Sequence, residues 1–372
     1  MVKKMSSLCA RITYSFFATI MLIMGIWWQA CDYTLWIPIS VFSGIITLLY
    51  YHSYHKQMVK KYFMWLPVGA LFFIGSYRYY QQQYDFSHFY TQYAGTPVDL
   101  IGTITAIEST STPHFDTKIS VAIEKIKNPH EKLWTPLNKT IHIYTSSNNN
   151  IEIADTIRLD KITFKKPNNI SFNAYLLKEK CIANLFMPSL RQTTLYHPPH
   201  SIKRCIANYK KELIKHLKQK CSPYTFRLFA TIFLGFPAEK RELYEIKNSF
   251  KLWGIMHHLA RSGLHLILFI FLWYLLLRLA PISYTKKQCI LVGIVTLYSL
   301  LSWQSIPFTR SLTTFILYKT GILLKIQTNL LHLLSIICLL TLLDNPIHLF
   351  FLDFQLSFGL TGALVCFNVL SD

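Results

Sequence analysis

The sequence predicts a polytopic α-helical membrane protein with an inserted extracytoplasmic all-β domain of OB-like type. Three observations carry that expectation. Of the 372 residues, 52% are hydrophobic and only 15% are charged. Apolar runs near the ~20 residues that span a bilayer as helix recur at both ends of the chain. Between them, over about 85–200, short β-branched runs alternate at period two.

The N-terminal part, 1–80, holds three apolar runs at about 8–28, 35–51 and 62–77. The first is longer than a secretory signal and lacks a small-residue cleavage site, so it reads as a membrane anchor. Lys3, Lys4 and Arg11 precede it, and Lys56, Lys60 and Lys61 separate the second run from the third. The bias of Lys and Arg toward the cytoplasm then predicts a cytoplasmic N-terminus and an outward exit after Arg78.

The next segment, 85–200, alternates at 98–107, 118–123, 140–144 and 155–159, broken by Pro113 and by Asn148, Asn149 and Asn150. About five strands in a hundred residues fit a small barrel of the OB type. Such barrels bind single-stranded nucleic acid through basic grooves and exposed aromatics. Here acidic and basic residues nearly balance, so a plain extracytoplasmic scaffold is the stronger reading and nucleic-acid binding the weaker one.

Residues 201–253 form a connecting region of basic amphipathic and polar helices. Lys203, Arg204, Lys210, Lys211, Lys215, Lys218 and Lys220 stand against a single Glu212, while Ile206, Tyr209, Leu213, Ile214 and Leu217 recur at helical spacing. A helix of this kind lies on anionic lipid or attracts phosphates. The formal net charge of +20 allows topology signals, lipid headgroups or a polyanion as its target. Composition favours the first two.

The remaining part, 254–372, begins with Gly254-Ile-Met-His-His-Leu-Ala-Arg-Ser-Gly-Leu-His265 and continues into apolar runs. His257, Arg261 and His265 fall on one helical stripe, with Ser262 beside it and Gly263 allowing close backbone approach. Further spans are expected at about 288–303, 308–324, 330–343 and 349–370, which puts Arg310, Asp353 and Gln355 in the same outer layer. Polar groups at that depth mark a path. Arg261 on the histidine stripe argues against a metal. No His-Glu-x-x-His, Gly-x-Ser-x-Gly or Walker frame occurs, and the eight cysteines are scattered without a close pair. Neither an enzyme nor a bound cofactor is expected.

The motif at 254–265 resembles the signature of the ComEC family of competence proteins. Ile232-Phe-Leu-Gly235, Pro307-Phe-Thr-Arg310, Asn345-Pro346 and Phe354-Gln-Leu-Ser-Phe358 follow in that family's order, and 171–184 resembles the end of its external OB-type domain. The resemblance implies an inner-membrane channel component that takes up single-stranded DNA in natural transformation, with 254–372 as a partial channel domain. It implies His257, Arg261, Ser262, Gly263, His265, Arg310 and Gln355 as residues lining or bracing the path, and Lys203, Arg204, Lys210, Lys211, Lys215 and Lys218 as phosphate contacts. The implied partners are single-stranded DNA, membrane lipids, a separate nuclease or C-terminal channel subunit, and a cytoplasmic motor ATPase. Two departures stand out. Arg261 replaces a usual apolar residue, and the sequence carries no metallo-β-lactamase-like motif, as expected of a truncated form without nuclease activity. The alternatives are a split subunit that needs a partner, and an unrelated small-solute transporter or membrane enzyme.

Overall fold

The structure, a computed structural model, describes residues 14–31, 66–112, 115–128, 133–146, 151–187, 194–196, 201–234, 252–253, 263–302, 305–326 and 329–371. The chain divides into two compact units. One comprises Met1–Tyr84, Trp273–Gly293 and Ile306–Asp372, and the other Asp85–Leu272 and Ile294–Ser305.

The first unit is helical. Helix α1 (Tyr14–Ala30) and the start of α2 (Leu66–Tyr93) meet at glycines, where a Cβ added to Gly25 would collide with the Phe72 carbonyl oxygen. Gly25→Ala therefore forces the two helices apart. Its expected cost is about 1–3 kcal/mol, read as a lower denaturation midpoint.

Later helices of the chain are α6 (Gly263–Leu279), α7 (Tyr284–Leu301), α8 (Ile306–Leu323) and α9 (Leu330–Asp344). The Asn329 side chain caps α9 by accepting from the Leu331 N–H at 3.0 Å, as its short amide favours. Buried Asn345 ends it, accepting from Gln82 at 2.9 Å and from the Ile347 N–H at 3.3 Å. A 3-10 turn (Pro346–Phe350), α10 (Leu352–Gln355), a π-turn (Leu356–Leu360) and α11 (Thr361–Ser371) follow. Leu22, Ile26, Leu334, Ile337, Leu342, Phe354 and Phe358 share this unit's core.

The expected polytopic α-helical membrane architecture is corrected here: among the described residues no helix is long and apolar enough to cross a membrane. Of the strongly apolar helices, α1 and α6 are the longest, with 17 residues each. At ~1.5 Å per residue that is about 25 Å, short of the ~30 Å hydrocarbon layer. Helix α2 is longer but turns polar at Arg78, Gln81, Gln82, Gln83 and Asp85. The run expected to span at 349–370 is broken by extended backbone at Phe351 and by the π-turn. The expected run at 35–51 lies outside the described residues.

The second unit is built on a mixed six-stranded sheet in the order β5-β3-β2-β1-β4-β6. Its strands are β1 (Pro97–Thr112), β2 (Phe115–Lys127), β3 (Thr135–Thr145), β4 (Thr156–Thr163), β5 (Cys181–Phe186) and β6 (Thr194–Tyr196). All neighbours are antiparallel except β3 and β5. Period-two alternation sends Leu100, Ile104, Ile119, Val121, Ile141, Ile143, Ile157 and Leu159 inward. The sequence leads one to expect only strands here. Helix α3 (Ile170–Lys178), capped by the Asn169 side chain, instead links β4 to β5, and α4 (Ile202–Lys220) and α5 (Pro223–Phe229) follow the sheet.

Polar groups are also buried in this sheet. Lys118 Nζ lies 2.6 Å from Glu108 Oε2, and Cys181 Sγ lies 2.8 Å from His142 Nε2. Burial alone disfavours the Lys118 ammonium, but bonding to Glu108 outweighs it and raises the lysine pKa. Burial, helped by the Lys118 charge, pushes His142 down to about 4, and burial pushes the Cys181 thiol up to about 12. The cysteine–histidine pair is thus neutral at pH 7.

A pH effect on stability follows. An unfolded histidine takes its proton near pH 6.5, whereas folded His142 waits until about 4. Between those values the unfolded state binds more protons, so stability rises with pH. The contribution is complete above about pH 6.5, falls as the pH drops toward 4, and is flat below. It amounts to about 3 kcal/mol, and His142→Leu removes that slope from urea midpoints measured between pH 7 and 4.

Candidate functional site

Arg310 is the centre of the helical unit's polar chemistry. It sits in the second turn of α8, where Pro307 at the helix start leaves no N–H to satisfy. Its Nη1 donates to the Thr361 hydroxyl, and its guanidinium carbon lies 5.9 Å from the Phe358 ring centroid. Thr361 donates in turn to the Ser357 carbonyl at 2.7 Å. Arg310 Nε and Ser357 Oγ are both buried without a hydrogen-bond partner among the described residues.

Neither is Arg310 paired with a carboxylate among the described residues. Burial lowers its pKa, yet a guanidinium stays protonated in proteins. The result is a fixed, half-shielded cation with a spare donor, next to a hydroxyl with spare capacity. Such a group is matched by an oxyanion, above all phosphate. The π-turn that carries Ser357 and Phe358 is a local irregularity of the kind found at functional sites.

The other expected path residues are placed differently. Gln355 donates to the Leu349 carbonyl at 2.9 Å rather than to the Arg310 group. Gly263 opens α6, and His265, 7% exposed, sets its ring 6.4 Å from Phe233 in an edge-on contact. His265 belongs to the second unit and Arg310 to the first. His257, Arg261 and Ser262 lie outside the described residues. Thr361 and the Ser357 hydroxyl are not singled out by sequence; the signal was their spacing of four, which the π-turn carries into the first residue of α11.

Helix α4 of the second unit presents the expected cations unequally. Arg204 is held internally, with Nε 3.2 Å from Glu152 Oε2, a short bond from Nη2 to Asp155 Oδ1, and another from Nε to the Ile153 carbonyl at 3.3 Å. The Asp155 side chain is fully buried. Arg204→Ala would leave that carboxylate its bond from the Glu152 N–H but remove the cation beside it, so the expected loss is about 3 kcal/mol of stability, measured by chemical denaturation. Lys203, Lys211, Lys215 and Lys218 are exposed and Lys210 is half-buried. No residue of α4 is buried, and Ile202, Ile206 and Tyr209 stand exposed beside the lysines.

Comparison with known proteins follows the same segment. Residues 238–370 match the family model described as competence protein. ComE operon protein 3 of Bacillus subtilis (strain 168) is 26% identical over 202 residues, covering 54% of this chain and 25% of that protein. The aligned part thus spans about a quarter of the length of the curated relative it matches. No solved structure matches the chain.

Proposed function

We propose, from the premise that residues 238–370 belong to the competence protein family, that the chain takes part in DNA uptake during natural transformation and handles single-stranded DNA at the bacterial inner membrane. The observation that carries this reading is Arg310, a half-buried cation with no carboxylate among the described residues, inside the matched segment. A passing phosphodiester supplies the negative charge that this site lacks, and releases it again because contacts of this kind weaken with salt. Exposed lysines of α4 add a sequence-independent attraction for the same backbone. The chain contributes binding and guidance, with no chemical step assigned to it.

The test is genetic. Deletion of the gene is expected to abolish transformation while leaving binding of duplex DNA to the cell surface intact. Transformation at the parental frequency in the deletion strain sinks the proposal.

A second, compatible reading concerns α4. Its exposed Ile202, Ile206 and Tyr209 beside exposed lysines fit a helix lying on anionic lipid.

A further inference from the structure

β4 and β5 are not neighbours in the sheet, and a cavity of about 890 Å³ opens between segments 160–169 and 184–187. Its size falls within the ~300–1,000 Å³ of small-ligand sites. Three kinds of group line it. Lys161, Lys165 and Lys166 are exposed at its basic side. Asp160, the acid among the lining residues, is engaged by Arg158 Nε at 2.8 Å. Phe186 is 54% exposed and stacks on Tyr144, with ring centroids 5.1 Å apart and planes 24° apart.

The third group is Asn184, which is only 7% exposed, and its side-chain oxygen has no hydrogen-bond partner among the described residues. Asn184 and Phe186 are two positions apart on one strand and so share a face. A buried carbonyl oxygen left without a donor is unfavourable by itself. It indicates a ligand that brings a matching donor.

We propose that this cavity is a subsite for one nucleotide of a single DNA strand. The base stacks on Phe186, its polar edge bonds the Asn184 amide, and the flanking phosphates meet Lys161, Lys165 and Lys166. A free phosphate or a carboxylate would use the lysines but would leave idle both the aromatic face and the Asn184 side-chain oxygen, which needs a donor. The inference rests on the single-strand reading above and gives it a base-holding site on the β unit, separate from Arg310 and from α4.

The experiment uses the full chain with an oligothymidylate carrying one 5-iodouracil, irradiated at low salt and mapped by mass spectrometry. Adducts are expected in the peptide containing Asn184 and Phe186. They should be suppressed by unlabelled oligothymidylate and not by an abasic oligonucleotide with the same phosphates. Phe186→Ala and Asn184→Leu should each weaken oligothymidylate binding about tenfold while leaving abasic binding unchanged. Lys165→Glu with Lys166→Glu, changed at exposed positions, should weaken both oligonucleotides and serves as the variant least prone to misfold.

Adducts confined to α4 overturn the subsite and leave the single-strand reading standing. Competition by free thymidine monophosphate as effective as by the oligonucleotide overturns the assignment to a strand. Absence of adducts together with equal affinity for thymidylate and abasic strands also overturns the subsite, while the deletion phenotype judges the uptake reading separately.

Discussion

Replacing Arg310 by Gln is expected to reduce transformation by at least about 100-fold without lowering the thermal midpoint of the protein. Taking an ionic group out of water is costly; half-buried Arg310 bears part of that penalty and has no carboxylate partner among the described residues to offset it. Its observed contacts are one hydrogen bond to Thr361 and the Phe358 ring. Losing the hydrogen bond costs about 1 kcal/mol, less than the relief from removing the charge. Gln keeps a donor for Thr361 and leaves no orphaned acid behind. A structural arginine gives the opposite result, because its removal lowers stability and function together. Arg310→Lys separates charge from shape. Lysine retains the cation but lacks the planar fork that holds a phosphate at two points, so partial activity is expected. Normal transformation by Arg310→Gln, or a midpoint lowered by many degrees together with lost activity, rejects the phosphate role.

That result depends on features that the sequence disclosed unevenly. Arg310 was visible as a charge at the head of an apolar run, and Ile202–Lys220 was legible as a helix because apolar residues recur there at three and four. The inward residues of β1 to β4 were equally readable, since alternation states directly which side chains share a face. Hydropathy misled at 349–370 because it registers how apolar a run is and not whether its backbone stays helical. An extended Phe351 and a π-turn divide that run into pieces. Arg204 misled for another reason. Its charge placed it among the phosphate contacts, but its acid Asp155 lies 49 residues away and becomes a neighbour only when the sheet forms. Asn184 gave no signal, because an unpartnered side-chain oxygen is a property of packing and not of residue type.

The second large effect concerns α4. Changing Lys211, Lys215 and Lys218 together to Gln is expected to weaken binding of a single-stranded oligonucleotide by about 500-fold at 0.05 M salt and about 30-fold at 0.2 M salt. These values follow from a salt slope of about 0.7 per phosphate contact on single strands, so three lost contacts flatten the log–log slope by about 2. The three lysines are exposed and fall at spacings of four and three on one stripe, where a backbone running along the helix meets them in turn. Exposed, unburied positions of this kind tolerate the change, so the thermal midpoint should stay constant. Vesicles decide which polyanion the stripe serves. If the triple variant keeps the full salt slope for the oligonucleotide but no longer associates with phosphatidylglycerol vesicles, α4 belongs to the lipid surface and its assignment to DNA fails. If the slope flattens by about 2, the lysines are reading phosphates of the strand, and the aromatic cavity between β4 and β5 is left to distinguish a strand with bases from one without.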